Sequence, residues 1–420
     1  MNNGALLSLA FLVLAIVLGF VKKMNVGIVA IALAMVVGKL VGLSDTKIIA
    51  GFSSSLFVML AGITFLFSIV QVNGTLELIA KKAVALAGKR TKLIPAVVYL
   101  VGFLIAAAGP GAVPAIPIVV MFSAPLAIIL KISPIMLSAI GVIGTLAGRM
   151  TAITPEGILI TSITSKQGIT NVMTPALINA TISTIILAIL VYVYYKGYKT
   201  EGENPLKLSE LPKFTKNQVI TIIGVIIMIF SVTVLKYNVG LTSFLIAAVL
   251  LALKVADEKE CIKAVPWGIL LLVTGAGVLM NIVIVTGGID LLAKTLAKFM
   301  TPTTSSFIMA ITSGAMTWFS STLGVVIPTL VPTVGTIAHT VGGGVSGTEL
   351  TSAIVIASSV AGALSPGSTG GAMILAAYVA NTDCSEAEQS KLFVELFIWS
   401  VVGMVLIALI ALLGGYRVIG

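Results

Sequence analysis

The chain has 420 residues, of which 58% are apolar and only 10% are charged, and its mean hydropathy is +1.16. A soluble globular domain carries about 25% charged residues, so too little polar surface remains to cover a core of this size. The apolar residues form long blocks such as Gly4–Val21, Val219–Leu235 and Leu396–Leu413, and about 20 apolar residues cross a bilayer. The composition therefore predicts an all-α polytopic membrane protein. It excludes a soluble enzyme, a nucleic-acid binder and a secreted disulfide scaffold.

The first half, residues 1–195, predicts five membrane spans and one re-entrant helical hairpin. A continuous helix could not survive the run Ala108–Pro114, which contains two glycines and two prolines. Lys92 and Lys131 flank this broken segment, so we place both of its ends at the same interface. The predicted elements are scaffold spans within 4–73 (about 4–21, 24–43 and 53–73), an amphipathic interfacial helix at 75–92, the hairpin at 93–130, a span at 134–165 broken at Gly148–Gly157, and a span at 172–195.

The second half, residues 217–420, predicts the same plan after a polar cytoplasmic linker at 196–216. Its predicted elements are scaffold spans within 217–286, an interfacial helix at 287–300, a hairpin at 303–338, a span at 348–380 broken at Gly362–Gly371, and a span at 393–413.

The two halves also share residues at one constant spacing. Asn25-Val26-Gly27 recurs 213 residues later as Asn238-Val239-Gly240, and Gly62 falls on Gly275. Glycine and polar positions rarely repeat at one spacing by chance in apolar chains, so the pattern indicates an internal duplication. Because each half has five crossings, an odd number, the sequence predicts two inverted repeats.

The distribution of basic residues predicts the orientation. Lysine and arginine collect in cytoplasmic loops, and the pattern fits a multi-pass inner (plasma) membrane protein with both termini outside. In that orientation the outside segments hold only Lys39, Lys47, Lys166, Lys236, Lys294, Lys298 and Arg417.

The four breaks, two per half, predict the binding site. Non-helical backbone at membrane depth must be buried or line a watery cavity, and paired broken helices in inverted halves point to a transporter's binding site. Freed N–H groups favour anions and freed carbonyls favour cations. The predicted substrate-binding residues are Gly109, Pro110, Gly111, Arg149, Thr154, Ser321, Thr322, Gly367, Ser368 and Thr369.

Arg149 and Glu156 are the two ionisable residues that we place well inside the membrane, where a charge is costly and indicates function. Arg149 could hold a substrate carboxylate with two parallel hydrogen bonds. Glu156 could be its resting partner or a proton-coupling group. The alternative is a purely structural Arg–Glu pair. Cys261 and Cys384 show no metal-ligand spacing, and no nucleotide-, haem- or metal-binding motif occurs, so we expect no cofactor and no enzymatic activity.

The overall plan resembles the ion transporter superfamily, and Leu9–Gly38, with Val17–Gly27 at its centre, looks like the N-terminal signature of MatC-type malonate/dicarboxylate carriers. The wider group is the divalent anion/sodium symporters. The resemblance implies a homodimer, a static scaffold, an elevator-type transport domain, and a dicarboxylate held between two hairpin tips with Na⁺ near each. That group carries Ser-Asn-Thr at each tip. Here the second tip has Ser320-Ser321-Thr322, with Ser in place of Asn, and the first has Gly109-Pro110-Gly111 and no hydroxyl. This departure weakens the match at the first tip, and the resemblance favours cation binding at Ser320, Ser321, Thr322 and Ser365.

These observations predict a secondary active carrier of a small organic anion, a dicarboxylate such as malonate or succinate, coupled to Na⁺ or H⁺. The expected partners are that anion, the lipid bilayer and a second copy of the chain, and no nucleic acid. A carrier of a monocarboxylate, a sugar acid or an inorganic anion stays open, as does a cation/proton exchanger. A channel would need a continuous polar pore.

Overall fold

The computed structural model describes residues 3–86, 91–199 and 207–419, and these ranges contain helices and no strand, so the predicted all-helical fold is confirmed for them. The helices of the first half are α1 (Asn3–Val21), α2 (Val26–Leu40), α3 (Asp45–Ile49), α4 (Ser54–Val72), α5 (Thr75–Ala85), α6 (Ile94–Ala107), α7 (Ala112–Ile129), α8 (Pro134–Gly148), α9 (Pro155–Ser165) and α10 (Met173–Tyr194).

The second half contains a matching series with more interruptions. Its helices are α11 (Lys216–Thr233), α12 (Val239–Ala252), α13 (Glu258–Ala264), α14 (Trp267–Val285), α15 (Gly288–Ala297), α16 (Ser305–Trp318), α17 (Ile327–Leu330), α18 (Val334–Val341), α19 (Gly347–Leu364), α20 (Thr369–Asn381) and α21 (Glu386–Leu412). A π-helical turn at Thr322–Val326 precedes α17, and 3₁₀ turns lie at Thr91–Leu93, Gly197–Lys199 and Val331–Thr333.

Nine helical segments of the described residues are long and apolar enough to cross a membrane. They are Asn3–Val21, Asp45–Val72, Ala112–Ile129, Met173–Tyr194, Lys216–Thr233, Trp267–Val285, Thr322–Val341, Gly347–Leu364 and Glu386–Leu412. The predicted multi-pass membrane protein is therefore confirmed. Parts of the predicted interfacial helix 75–92 and linker 196–216, namely residues 87–90 and 200–206, lie outside the described residues.

Two close helix crossings join the halves. In α2 and α14, a Cβ atom added to Gly275 would lie 2.5 Å from the carbonyl oxygen of Gly27. In α12 and α4, a Cβ atom added to Gly62 would lie 2.3 Å from the carbonyl oxygen of Gly240. Each crossing depends on glycine because the two backbones leave no room for a side chain. These four glycines are the residues that recur 213 positions apart in the sequence.

Helix starts at the same spacing have matching conformations. The side chain of Asn25 accepts a hydrogen bond from the N–H of Gly27 at the start of α2, and Asn238 accepts one from Gly240 at the start of α12. Such asparagine caps satisfy N–H groups that have no partner within the helix. The residues that precede α5 and α15, Gly74 and Gly287, are both left-handed, with φ of 74° and 79°.

Polar links at the same spacing also join the halves. The hydroxyl groups of Ser8 and Thr286 lie 2.7 Å apart, and the amide of Asn73 donates to the hydroxyl oxygen of Thr221 at 2.8 Å. Ser8 and Thr221 are 213 residues apart, and so are Asn73 and Thr286. Each half therefore contacts the other through equivalent residues.

The helices α8 and α19 lie at the centre of the molecule. Ile135–Gly148 of α8 and Glu349–Leu364 of α19 are buried throughout. Each packs most extensively on the helix that opens a hairpin, α6 for α8 and α16 for α19. Both central helices end well inside the protein. Each is followed there by a short non-helical break, residues 149–154 after α8 and residues 365–368 after α19.

Candidate substrate and ion site

The first break, residues 149–154, is held by the hydroxyl group of Thr154. This hydroxyl accepts a hydrogen bond from the N–H of Gly157 and so caps α9, and it donates to the carbonyl oxygens of Arg149 and Thr151. The hydroxyl of Thr151 donates to the carbonyl oxygen of Ala107 at 3.0 Å, which ties the break to the end of α6. The loop is therefore fixed on both sides of Arg149.

Arg149 and Glu156 form a buried ion pair. The distance from Arg149 Nη2 to Glu156 Oε1 is 2.7 Å, and the two side chains are 7% and 1% exposed. Glu156 lies in the first turn of α9, where the helix dipole stabilises a negative charge. Arg149 Nε and Glu156 Oε2 are buried without a hydrogen-bond partner among the described residues. The pair is therefore incompletely satisfied on both sides.

The tip of the first hairpin packs against Glu156. Its backbone turns through Gly109 and Gly111, with φ of 143° and 74°. A Cβ atom added to Gly111 would lie 2.3 Å from Glu156 Oε2, so only glycine fits beside this carboxylate. A void of about 10 Å³, lined by Thr64 of α4, Pro110 of the tip and Glu156, adjoins the carboxylate. This volume corresponds to about one water molecule.

The second break, residues 365–368, has a different arrangement of hydrogen bonds. The hydroxyl of Ser368 donates to the carbonyl oxygens of Gly362 and Ser365 and so bridges the break. Ser365 is buried, and its hydroxyl oxygen accepts a hydrogen bond from the N–H of Gly367 at 3.3 Å. No side chain caps the start of α20. The N-terminal end of this helix therefore keeps the attraction for anions that a cap would reduce.

The tip of the second hairpin carries three hydroxyl groups. Ser321 accepts a hydrogen bond from the N–H of Gly324 at 3.2 Å and caps the π-helical turn. The hydroxyl of Thr322 donates to the carbonyl oxygen of Ser358 at 3.1 Å, and that of Ser320 to Met316 at 2.7 Å. Because the hydroxyls of Ser320 and Thr322 donate to these carbonyls, their oxygen lone pairs remain available to a cation.

A cavity of about 780 Å³ brings parts of both halves together. The predicted site residues that line it are Arg149, Ser320, Ser321, Thr322, Gly367 and Ser368. The other predicted residues have different surroundings. Pro110 lines the small void, Gly109 packs against Phe67 and Gly111 contacts Glu156. The hydroxyl of Thr154 caps α9, and that of Ser365 accepts a hydrogen bond within its own loop. The side chain of Thr369 lies outside the described part of the structure.

The cavity has further lining residues that did not emerge from the sequence, among them Phe20, Lys23, Trp318 and Ser359. Phe20 lies near the end of α1 and Lys23 in the α1–α2 connection, and Trp318 and Ser359 come from α16 and α19. The rings of Phe20 and Phe319 meet edge to face at 5.7 Å, so α1 contacts the second tip directly. The pair Ser358-Ser359 within the otherwise apolar stretch 353–364 was an available signal for Ser359. No comparable sequence pattern predicts the contact between Phe20 and the second tip, which lies about 300 residues away along the chain.

The charged pair occurs in one half only. In the region of the breaks the two halves align at a spacing of 211 residues. This spacing places Ala107, the end of α6, on Trp318, the end of α16, and it also places Pro155 on Pro366. At the same spacing Arg149 corresponds to Val360 and Glu156 to Gly367. The two halves therefore contribute unlike groups to the centre of the protein.

Residues 1–149 match the family model of the dicarboxylate carrier protein MatC N-terminus. The protein is a membrane transporter. The match confirms the resemblance predicted from Leu9–Gly38, and it identifies a carrier rather than an enzyme. Among curated proteins, none matches the transporter's sequence.

Two solved transporters share the fold. The YdaH transporter of Alcanivorax borkumensis, whose structure is described as having an unusual topology, aligns with a TM-score of 0.58 at 10% identity, over 88% of this transporter and 87% of YdaH. MtrF of Neisseria gonorrhoeae, described as illuminating a class of antimetabolite efflux pumps, aligns with a TM-score of 0.57 at 14% identity, over 87% and 82% of the two chains. At these identities the similarity concerns the fold.

Proposed function

We propose that the transporter is a secondary active carrier of a small organic anion, a dicarboxylate such as malonate or succinate. The observation that supports this proposal is the position of Arg149. Its side chain is buried, it lines the large cavity, and its Nε–H lacks an acceptor among the described residues. Once the Arg149 side chain turns towards the cavity, a substrate carboxylate there would supply that acceptor, and a guanidinium group holds a carboxylate through two parallel hydrogen bonds.

The uncapped start of α20 supports a substrate with two carboxylate groups rather than one. Gly367 and Ser368 line the same cavity as Arg149, and among the described side chains none makes a capping hydrogen bond at the start of the helix that follows them. The free N–H groups and the dipole at such an end attract an anion. Arg149 and α20 thus give the cavity two separate anion-binding elements. The dicarboxylate carrier family that matches residues 1–149 supports the same substrate class.

We also propose that the chain consists of two inverted repeats, each with five spans and one re-entrant hairpin, that move as an elevator. The equivalent glycine crossings of α2 with α14 and of α12 with α4 support a common origin for the halves. In this proposal α1–α4 and α11–α14 form the static scaffold, through which two copies dimerise. The hairpins and broken helices form the moving part, and the Phe20–Phe319 contact lies at the boundary.

The coupling ion in this proposal is Na⁺ or H⁺. Oxygen ligands suit Na⁺, a hard cation, as they suit other hard cations, and Ser320, Ser321, Thr322 and Ser365 offer hydroxyl oxygens near the second tip and break. Glu156 is the proton-coupling candidate because it is a buried carboxylate with one unpaired oxygen. In the proposed orientation, with both termini outside the inner membrane, the large cavity opens beside Lys23 of the predicted cytoplasmic α1–α2 connection.

Uptake of radiolabelled malonate and succinate into proteoliposomes tests the function. We expect saturable uptake that an imposed Na⁺ or proton gradient accelerates, together with counterflow against internal unlabelled acid. Uptake that neither saturates nor shows counterflow would indicate a channel. Absence of uptake for both acids under both gradients would contradict the proposed substrate class.

A further inference from the structure

Glu156 separates two environments at the centre of the molecule. Its Oε1 binds Arg149, which lines the large cavity, whereas its Oε2 faces the first hairpin tip beside the water-sized void. Oε2 is buried and has no hydrogen-bond partner among the described residues. One carboxylate oxygen is therefore used to neutralise Arg149, and the other is free to take a proton.

The surroundings of Glu156 offer no second positive charge. The void beside it is lined by apolar residues and prolines, by Thr64 of α4 and by Glu156 itself, which is its one ionisable residue. The side chains that face it from α14 and from the first hairpin are apolar. In the large cavity the charged residues are Arg149 and Lys23, and Lys23 belongs to the scaffold. Once Arg149 turns to another anion, Glu156 has no other partner in the described structure.

We propose that Glu156 is an internal substitute for the substrate carboxylate: it neutralises Arg149 in the empty carrier and takes up one proton when the substrate displaces it. This inference rests on the proposed function, because it requires that Arg149 bind a carboxylate. It assigns H⁺ as a coupling ion and gives Glu156 a role in the return of the empty carrier.

The exchange of Glu156 for a substrate carboxylate keeps the charge around Arg149 balanced at each step. On binding, a substrate carboxylate replaces Glu156 Oε1 as the acceptor of the Arg149 N–H groups, and a proton from water in the cavity bonds to the Glu156 carboxylate. A buried carboxylate that loses its partner charge takes up a proton because the ionised form is too costly to bury. On release the proton leaves, and Glu156 pairs with Arg149 again. At Arg149 the proton therefore offsets the negative charge of one substrate carboxylate, and the second carboxylate of a dicarboxylate brings one further negative charge to the centre.

The Glu156→Gln variant tests this role because glutamine keeps the shape of the side chain and cannot neutralise Arg149. The empty variant would have to carry a buried, unpaired arginine across the membrane, whereas the loaded variant would not. We expect gradient-driven net uptake of succinate by proteoliposomes to fall at least tenfold. We expect counterflow, in which the carrier is loaded in both directions, to stay within about threefold of the wild type.

Glu349→Gln is the matched control. Glu349 is also buried and paired with an arginine, Arg417, but it lies at the start of α19, away from the cavity. We expect this substitution to change net uptake and counterflow by the same factor. If Glu156→Gln likewise changed both assays equally while some transport remained, or if it kept full net uptake, the proposed role would be overturned.

Proton entry with the wild type provides a second measurement that does not depend on folding of the variant. A pH-sensitive dye inside the proteoliposomes should report acidification as succinate enters, and uptake should quicken as the external pH falls. Succinate uptake without proton entry would overturn the role of Glu156 and leave the proposed function standing. Wild-type protein that transports neither acid would instead count against the proposed function, so the two failures are distinguishable. A Glu156→Gln variant inactive in both assays leaves the decision to this measurement.

Discussion

Arg149 and Glu156 form the one ion pair of the described residues in which both side chains are buried. Apolar residues of similar volume often stabilise a protein as well as a buried pair does, so stability alone does not explain such a pair. Each partner also keeps one unsatisfied polar atom, Nε of Arg149 and Oε2 of Glu156. A site that exchanges partners during each cycle requires this incomplete pairing.

Replacing Arg149 by alanine should strongly lower uptake at low substrate concentrations. The loss of charge-assisted hydrogen bonds, worth about 1.5–3 kcal/mol, lowers substrate affinity roughly 10- to 100-fold. Arg149→Lys should rescue it poorly, since an ammonium group cannot make the two parallel hydrogen bonds. Uptake assays at several substrate concentrations measure the effect. Wild-type kinetics in Arg149→Ala would remove this residue from the site.

The same substitution should also destabilise the protein, because it leaves Glu156 buried and unpaired at a cost of about 3–5 kcal/mol. Adding Glu156→Gln should restore most of the melting temperature without restoring transport. This double variant separates the binding role of Arg149 from its structural role. A double variant that regained both would show that Arg149 serves only to pair Glu156.

Substituting Ser321 and Thr322 together by alanine should weaken Na⁺ activation. The loss of one or more oxygen ligands, at about 1 kcal/mol each, raises the Na⁺ concentration for half-maximal uptake roughly fivefold or more. Ser321 also caps the π-helical turn, so Ser321→Asn, which keeps a cap and an oxygen, is the control and should retain Na⁺ activation. Unchanged Na⁺ activation in the double alanine variant would place the cation elsewhere.

Part of this site is readable from the sequence and part is not. Arg149 stands out because a guanidinium is rare in a long apolar stretch, and the breaks stand out because glycine and proline interrupt helices. The hydrogen bonds that the hydroxyls of Thr154 and Ser365 accept depend on the local path of each loop. The contribution of Phe20 depends on a contact between distant parts of the chain, which no local periodicity encodes. Residue type therefore predicts candidates, and tertiary packing decides which of them share a cavity.

At the scale of helices, the glycine crossings hold the scaffold together. The helices α1, α2 and α14 share a hydrophobic cluster separate from the main core. In a membrane, where lipid tails are as apolar as leucine, close backbone packing replaces the hydrophobic effect as the force between helices. The pairs α2–α14 and α12–α4 each place glycine against backbone. Each of these close contacts therefore joins a helix of one half to a helix of the other.

Gly27→Ala and Gly240→Ala should each lower the melting temperature. The new methyl groups would lie 2.1 Å from the carbonyl oxygen of Leu271 and 2.5 Å from the backbone of Met59, respectively, and such overpacking costs about 1–3 kcal/mol. Gly268→Ala is the control, because its methyl group would meet only a side-chain atom of Asn25 at 3.8 Å. It should be neutral or slightly stabilising, as alanine favours a helix. Thermal melting in detergent compares the three variants; equal stability would contradict the tight crossings.

At the scale of the whole molecule, the reactivity of the two cysteines can be used to test the orientation of the protein in the membrane. Burial and the carboxylates of Asp257, Glu258 and Glu260 raise the pKa of the Cys261 thiol to about 11. Cys384, between α20 and α21, is more accessible, and its pKa is raised by partial desolvation and by Glu388. Since the thiolate is the reactive form, both thiols should react faster as the pH rises, and Cys384 should react first.

A membrane-impermeant maleimide should therefore label Cys384 in inverted membrane vesicles and not in intact cells. The Cys384→Ser variant should lose the signal, and Cys261→Ser should keep it. Labelling of intact cells would reverse the proposed orientation, in which Cys384 faces the cytoplasm. Measurement at pH 7 and pH 8 tests the raised pKa, because the rate should rise about tenfold per pH unit while the pH is well below it.

The single copy of the charged pair has a consequence for the shape of the substrate. Two identical halves would present the same groups to both ends of a bound molecule, whereas here Val360 and Gly367 stand where the other half has Arg149 and Glu156. If the halves arose from one ancestral sequence, this difference arose after that sequence was duplicated. The proposed cavity then distinguishes the two ends of a bound substrate, because one carboxylate contacts a guanidinium group and the other contacts the N-terminal end of α20. Succinate would fit equally well in either direction, whereas an acid with unlike ends, such as malate, should bind in one preferred direction.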